Sequence, residues 1–501
     1  MTLQPVEIVC ATEGDTARLG ETLAMALRAG DLVTLSGDLG AGKTVLARAT
    51  IRAAAGETKL EVPSPTFTLV QIYDGLPFGN LAHLDLYRLS DGSELNELGL
   101  DDALETGAAL IEWPERAAND LGDATLAIRL EPEENDSRLV TITGDESAMA
   151  RLQRSLDIRA FLDANGHQTS SRDNLTGDAS TRAYETIHPE NDGTLILMNS
   201  PAQPDGPPVK DGKPYSTIAH LAEDVGAFVG VDILLRERGF RAPKILVQDL
   251  DAGLLLIEHL GDEFIIDETR KPIPERYEAA IDTLAAMHRF DWPNTVSIAE
   301  GRSHTIPDFD YDAMMIEVSL LVGWYAPRRL GRPLNADEHV EFDTIWNGLT
   351  AELESVEKTL VLRDYHSPNI VWDDTANGTD RTGLIDFQDA LIGPSAYDVA
   401  SLAQDARVDV SADLEKHLLD RYCTARGDFD EACFRAAYAI MAAERATKVL
   451  GIFVRLSQRD GKHDYLAHLT RIEGYLSRSF IHPALADYEA WFNEMFDGTK
   501  A

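Results

Sequence analysis

The stretch Gly37-Asp38-Leu39-Gly40-Ala41-Gly42-Lys43-Thr44 decides the fold of the first part of the chain. It follows a short apolar run, DLVTLSG at 31–37, and precedes TVLARATIRAAAG at 44–56, whose apolar spacing is helical. A strand, a glycine-rich turn closed by Gly-Lys-Thr and a helix make a cradle for phosphate. The glycines let successive backbone N–H groups curl around phosphate oxygens, and the helix N-terminus adds partial positive charge. In this pattern Lys43 reaches the β and γ phosphates, and the Thr44 hydroxyl takes the Mg²⁺ that accompanies ATP. A glycine-rich turn with a surface lysine is the plain alternative, and the complete motif in its strand-to-helix setting argues against it.

Working outward, FTLVQIYD (67–74), LAHLDLY (81–87), AALIEW (108–113), ATLAIRLE (124–131) and RLVTITGD (138–145) read as further strands. Strands alternating with helices predict an α/β domain. At MARLQRSLDIRAFLDANG (149–166) the pattern turns helical, which puts a domain boundary near residue 150, with units 1–150 and 151–501. At 501 residues the chain exceeds what one core supports, so two or more domains are expected. From about 172, NLTGDASTRAYETIH, GTLILMN and LLLIEHL predict a small sheet-rich lobe, with a helix near 216–238. Beyond about 272 the apolar spacing is mostly helical, interrupted by LVLRDYHSPNIVWDD and RTGLIDFQDALIGP.

The charge balance is 45 Lys plus Arg against 85 Asp plus Glu, a net charge of −40. Such a field repels phosphodiester backbones, so strong direct nucleic-acid binding is not expected. Cys10, Cys423 and Cys433 form no CxxC pair, which points away from a zinc or redox site and fits a reducing compartment. The opening MTLQPVEIVCATEGD has no basic segment followed by an apolar run, and no long apolar stretch occurs. A cytoplasmic protein with no membrane association is expected.

Four segments, GDLGAGKT (37–44), VPSPTFTLV (62–70), HLDLYRL (83–89) and IEWPER (111–116), resemble in order and spacing the TsaE family, the ATPases of bacterial tRNA threonylcarbamoyladenosine synthesis. On the residues themselves, Ser64 to Phe67 suits a switch loop in which the Thr66 hydroxyl senses the γ phosphate and metal, or else a rigid turn. Asp85 ends a strand where a carboxylate can hold Mg²⁺ or its water, or cap the strand end. Trp113 serves packing or nucleotide contact. The resemblance implies that Glu112 is a second magnesium ligand beside Thr44, and that Thr12 and Thr16 lie beside the adenine. It also implies that ATP is hydrolysed on partner proteins like TsaB and TsaD, through which any tRNA contact would come.

The second constellation is Leu362-Arg363-Asp364-Tyr365-His366-Ser367-Pro368-Asn369, followed by Ile385-Asp386-Phe387. Phosphoryl transfer needs one carboxylate to orient the attacking hydroxyl and accept its proton, and an amide with a second carboxylate to hold Mg²⁺ on the triphosphate. The spacing assigns Asp364 as base and Asn369 and Asp386 as metal ligands. With SAYDVASL (395–402), GDASTRAY (177–184) and LLLIEHLGDE (254–263), this wording resembles the aminoglycoside phosphotransferase superfamily, an α+β kinase-like fold. More closely it resembles the N-acetylmuramate/N-acetylglucosamine 1-kinases. The resemblance implies that Gly177 to Arg182, Ser180 included, cover the phosphates, that Glu258 to Leu260 form the hinge at adenine, and that Asp398 ties the catalytic loop in place. One departure is Met198, in LILMN, where such kinases carry a phosphate-pairing lysine; Arg182 is the candidate replacement cation. Asp308, Glu317 and Trp324, in IPDFDYDAMMIEVSLLVGWYAP, are candidate sugar contacts. Alternatives are an aminoglycoside, choline or homoserine kinase, or, given Met198, a regulatory ATP-binding pseudokinase.

Overall fold

The computed structural model describes residues 4–89, 92–175, 182–191, 193–202, 206–427 and 429–496. Two compact units result, Met1–Asn199 and Ser200–Ala501. Residue 150, where the helical pattern was expected to begin a new domain, lies inside the helix Glu146–Ala164 of the first unit.

The first unit is built on β1 (Val6–Cys10), α1 (Glu13–Ala26), β2 (Leu32–Ser36), α2 (Lys43–Ala55), β3 (Val70–Leu76), β4 (Gly79–Asp85), α3 (Leu100–Thr106), β5 (Gly107–Glu112), β6 (Leu126–Pro132), β7 (Arg138–Gly144) and α4 (Glu146–Ala164). Seven strands form one sheet in the order β1-β7-β6-β2-β5-β4-β3. The central pairs β6-β2, β2-β5 and β5-β4 are parallel, and the flanking pairs are antiparallel. Alternate residues divide between two cores. Val33, Leu35, Ala108 and Leu110 pack with Leu23, Leu46 and Ile51 on one face, while Leu32, Ala109 and Ile111 pack with Leu84 and Leu95 on the other. Burial on both faces explains why these strands read as continuous apolar runs.

One strand starts later than its apolar residues suggest. Phe67, Thr68 and Leu69 form a turn, closed by the Leu69 N–H donating to the Pro65 carbonyl at 2.7 Å with Leu69 at φ 65°, so β3 begins only at Val70. Phe67 is 80% exposed and lies under the Arg88 guanidinium rather than in the core.

Helix α4 packs on α1: the Ser155 hydroxyl donates to the Thr22 carbonyl at 2.8 Å, and Arg151 grips Asp31 at 2.7 and 2.8 Å. Three antiparallel strands follow, β8 (Ser171–Leu175), β9 (Ala183–His188) and β10 (Leu195–Asn199). Fully buried Arg172 joins them to α4, donating to both Glu185 oxygens at 2.7 and 2.9 Å and to the Ser155 carbonyl at 3.0 Å.

The second unit is mainly helical: α5 (Tyr215–Ile218), α6 (Val225–Glu237), α7 (Pro274–Met287), α8 (Tyr311–Leu320), α9 (Ala326–Leu330), α10 (Ala336–Glu352), α11 (Ala396–Ala403), α12 (Ala412–Arg426), α13 (Glu431–Asp460), α14 (Leu469–Ser479) and α15 (Ala486–Phe496). The single helix expected near 216–238 is two. The chain turns at His220 (φ 53°), and the Asp224 carboxylate then caps α6 by accepting from Gly226 N–H at 2.7 Å. An antiparallel hairpin, Ile245–Asp249 with Leu254–Glu258, lies between α6 and α7. Two short ladders, Lys358–Val361 with Leu391–Pro394 and Ile370–Trp372 with Thr382–Leu384, frame the loops that carry the second constellation. Among the described residues no helix is long and apolar enough to cross a membrane.

Candidate active sites

In the first unit the site sits at the carboxyl ends of the parallel strands. β2 runs into the glycine-rich loop, where Gly37 has φ 138° and a Cβ would stand 2.3 Å from the Leu130 carbonyl oxygen, so only glycine fits. Lys43 opens α2 with its ammonium turned back on the loop, donating to the Gly37 and Asp38 carbonyls at 2.6 and 2.9 Å and lying 3.5 Å from the Trp113 ring centroid. Burial pushes the Lys43 ammonium below the ordinary lysine range, and Glu112, Glu115, Asp85 and Asp38 oppose that shift. Trp113 therefore acts on the lysine: it holds the cation by its π face.

Adjacent strands β4 and β5 end in register, Asp85 opposite Glu112. Both carboxylates are buried. Glu112 accepts from the Thr44 hydroxyl at 2.8 Å through one oxygen, and its other oxygen lies 2.9 Å from His83 Nε2. Asp85 accepts from the hydroxyls of Ser64 (3.0 Å) and Thr66 (2.7 Å) and from Tyr87 N–H (3.0 Å). The structure thus brings Lys43, Thr44, Thr66, Asp85 and Glu112 together around the loop formed by Asp38, Leu39, Gly40, Ala41 and Gly42. His83 is a further member that sequence reasoning missed. It lies two residues before Asp85 on β4, and the alternation of a strand puts both on one face.

Thr12 and Thr16 are placed otherwise. Thr12 caps α1, its hydroxyl accepting from Asp15 N–H at 3.1 Å, and Thr16 is 1% exposed. These hydroxyls are occupied by the helix start, which gives the pair a structural use independent of nucleotide.

In the second unit, Asp364, Asn369 and Asp386 come together. The Asn369 amide donates to the Asp364 carbonyl at 3.0 Å and to the Asp386 carboxylate at 3.4 Å, and Gln388 donates to the other Asp386 oxygen at 3.0 Å. Arg363 (φ 71°) and Asp386 (φ 58°) are held in left-handed conformations that side chains disfavour, which is how a scaffold aims neighbouring groups. Buried Asp398, on α11, accepts from Leu362 and Arg363 N–H at 2.6 and 2.9 Å and so pins the loop. Burial works against ionising Asp364, yet His366, Lys448, Arg363 and Arg445 hold its carboxyl below the usual range.

The remaining candidates divide. Glu317 is wholly buried, paired with Arg363 and 2.9 Å from the Lys448 ammonium. It therefore orders the wall of the site instead of meeting a ligand. Burial opposes its ionisation, but the two cations hold its carboxyl down to about 2. Asp308 is exposed and Trp324 half-buried. Leu260 is buried, its carbonyl taken by Arg241 at 2.9 Å, and the Glu258 side chain accepts from Lys244 N–H at 3.1 Å. Met198 is 2% exposed on β10, opposite Tyr184. Arg182 is half-buried, while Gly177 and Ser180 lie outside the described residues.

Thr44, Asp85 and Glu112, like Asn369 and Asp386, offer hard oxygen donors that fit a divalent cation. Among the described residues no three His, Cys, Asp or Glu form a ready metal centre, so the cation's remaining ligands would come from the phosphates and water.

A model of threonylcarbamoyl adenosine biosynthesis protein TsaE matches residues 10–140, and one of the phosphotransferase enzyme family matches residues 173–437. The chain is similar to the N-acetylmuramate/N-acetylglucosamine kinase of Caulobacter vibrioides, at 36% identity over 345 residues that cover 67% of this chain and 94% of that protein. A namesake from Pseudomonas aeruginosa is 30% identical, over 65% of this chain and 89% of that protein. The tRNA threonylcarbamoyladenosine biosynthesis protein TsaE of Rickettsia conorii is 40% identical over 131 residues, 26% of this chain and 74% of that protein. The chain is therefore an ATP-using enzyme that belongs to two families in succession, TsaE in its first part and the phosphotransferase enzyme family in its second.

Proposed function

We propose that the protein is bifunctional. Its first part hydrolyses ATP in support of tRNA threonylcarbamoyladenosine formation, in contact with partners like TsaB and TsaD. Its second part transfers the γ-phosphoryl of ATP to a sugar, at the C1 hydroxyl of N-acetylmuramate or N-acetylglucosamine, in cytoplasmic cell-wall recycling. The observation that carries the kinase half is the junction of Asp364, Asn369 and Asp386 through the Asn369 amide. Asp364 orients the acceptor hydroxyl and takes its proton as the O–P bond forms and the bond to the β-phosphate oxygen breaks; Asn369 and Asp386 hold the cation, which we assign as Mg²⁺ and which neutralises charge on the phosphates.

In the ATPase half, phosphate binding releases Lys43 from the Gly37 and Asp38 carbonyls, and Asp85 relays the state of the phosphates to the Ser64–Thr66 turn. Glu112 keeps the Thr44 hydroxyl aimed at the cation position.

Incubating the full chain with ATP and a sugar panel, and identifying the product by phosphorus NMR, tests the kinase half. A sugar 1-phosphate that disappears in Asp364→Asn supports the reading. No transfer to any sugar, with ATP still bound, favours the pseudokinase that Met198 suggests.

A further inference from the structure

Helix α13 presents Glu444, Lys448, Gly451 and Arg455 at spacings of four, three and four, a single stripe along the helix. At Gly451 a Cβ would lie 2.3 Å from the Leu320 backbone, so α13 and the end of α8 cross in direct backbone contact. The turn after the crossing, Leu321–Tyr325, is a π-helix, a form that recurs at functional sites. This close crossing sets Lys448 against Glu317 and, through Arg363, against the catalytic loop.

Lys448 is spent there: its ammonium donates to Glu317 at 2.9 Å and to the Tyr397 hydroxyl at 3.1 Å. Arg455, two turns further on, is not. Its guanidinium carbon lies 5.3 Å from the Tyr215 ring centroid, its Nε is buried without a hydrogen-bond partner, and among the described residues it makes no ion pair. The carboxylate nearest in sequence, Asp460, is held by Arg459 at 2.7 and 3.0 Å. In a chain with 85 acidic against 45 basic residues, a half-buried guanidinium with no carboxylate in ion-pair contact, Asp460 acting on it only at longer range, is open to an anionic ligand. Tyr215 locates it: this residue opens α5, and the Ala219 carbonyl at the end of that helix accepts from the guanidinium of Arg363, on the catalytic loop, at 2.9 Å. Arg455 therefore stands one short helix, α5, away from the catalytic loop.

We infer that Arg455 is a specificity residue that receives a carboxylate on the acceptor sugar through its planar fork, with Tyr215 supporting the guanidinium from below. The inference rests on the acceptor reading above. N-acetylmuramate carries such a carboxylate on its lactyl ether, and N-acetylglucosamine lacks one. Glu317 and Lys448 form the wall between this contact and the catalytic loop.

The test is a KM and kcat comparison of both sugars for the full chain, R455M and R455K. For R455M the ratio of KM for N-acetylmuramate to KM for N-acetylglucosamine rises ten- to a hundredfold, the loss of one charge-assisted contact, while R455K recovers part of it. In the unaltered chain, raising the salt concentration raises the same ratio. A ratio that stays constant in R455M and in salt, including a parallel rise for both sugars, overturns the inference. Transfer to neither sugar by the unaltered chain removes the acceptor reading itself, and this inference with it.

Discussion

Glu317→Gln takes a buried negative charge from between two cations while preserving side-chain shape. Glu317 is 0% exposed, Arg363 3% and Lys448 14%, so neither cation can turn to water without moving a helix. Glutamine keeps an acceptor for the Lys448 ammonium and the Arg363 guanidinium but no charge. Removing one member of a buried ion pair costs about 3–5 kcal/mol. For a unit of this size each kcal/mol moves the melting temperature by about 2–4 °C, so a fall on the order of 10 °C is expected. Differential scanning calorimetry of the full chain reads it as movement of the transition that belongs to the second unit. The pH dependence gives an independent check. With its folded carboxyl held down to about 2, below its unfolded value, Glu317 contributes stability that is full above the unfolded value and is lost as pH falls toward 2. Glu317→Gln flattens that acid limb. Glu444 is the control, since burial and the neighbouring Glu317 charge push its carboxyl well above the ordinary range, leaving it neutral in the fold. Glu444→Gln is then nearly without effect. A Glu317→Gln shift under 2 °C, or a Glu444→Gln shift as large, refutes the assignment of charge.

Other consequences follow from named contacts. Glu21 lies half-buried near Arg172, Arg159 and Glu185, and its desolvation raises the carboxyl to about 7. Because the folded value exceeds the unfolded one, the contribution of Glu21 to the stability of the first unit is full below its unfolded value and is lost, by about 3 kcal/mol, as pH rises through 7; denaturant titrations of Glu21→Gln lack this component of the slope. Thr44→Ala leaves Glu112 without its hydroxyl donor and lowers ATP hydrolysis roughly 10²-fold, measured as phosphate release with the fold checked by circular dichroism. Arg182→Ala raises the KM for ATP of the sugar-kinase reaction about tenfold; an unchanged value means that Arg182 does not replace the lysine missing at Met198.

Local chemistry was readable where the chain itself sets the spacing. The glycine-rich loop spans eight consecutive residues, and Asp364 to Asn369 with Asp386 span one hairpin, so their meeting is nearly dictated by chain geometry. Partners brought by distant elements were not. His83 meets Glu112 because β4 and β5 pair in parallel, and Lys43 meets Trp113 across the loop, neither visible from spacing. Glu317 was read as a sugar contact because it is a carboxylate among aromatics. Arg363 and Lys448, one on the catalytic loop and one on α13, convert it into a buried counter-ion. Phe67, Thr68 and Leu69 have the composition of a strand start, and Leu69 at positive φ shows that the backbone turns there before β3 begins at Val70.

The claim that one chain carries two separate ATP chemistries is tested by measuring phosphate release and sugar phosphorylation side by side for Lys43→Ala and Asp364→Asn in the full-length protein. The account predicts a crossed pattern: Lys43→Ala loses the hydrolysis stimulated by TsaB- and TsaD-like partners and still phosphorylates sugar, and Asp364→Asn does the reverse. Loss of both activities in either variant, or sugar transfer that survives Asp364→Asn, contradicts it.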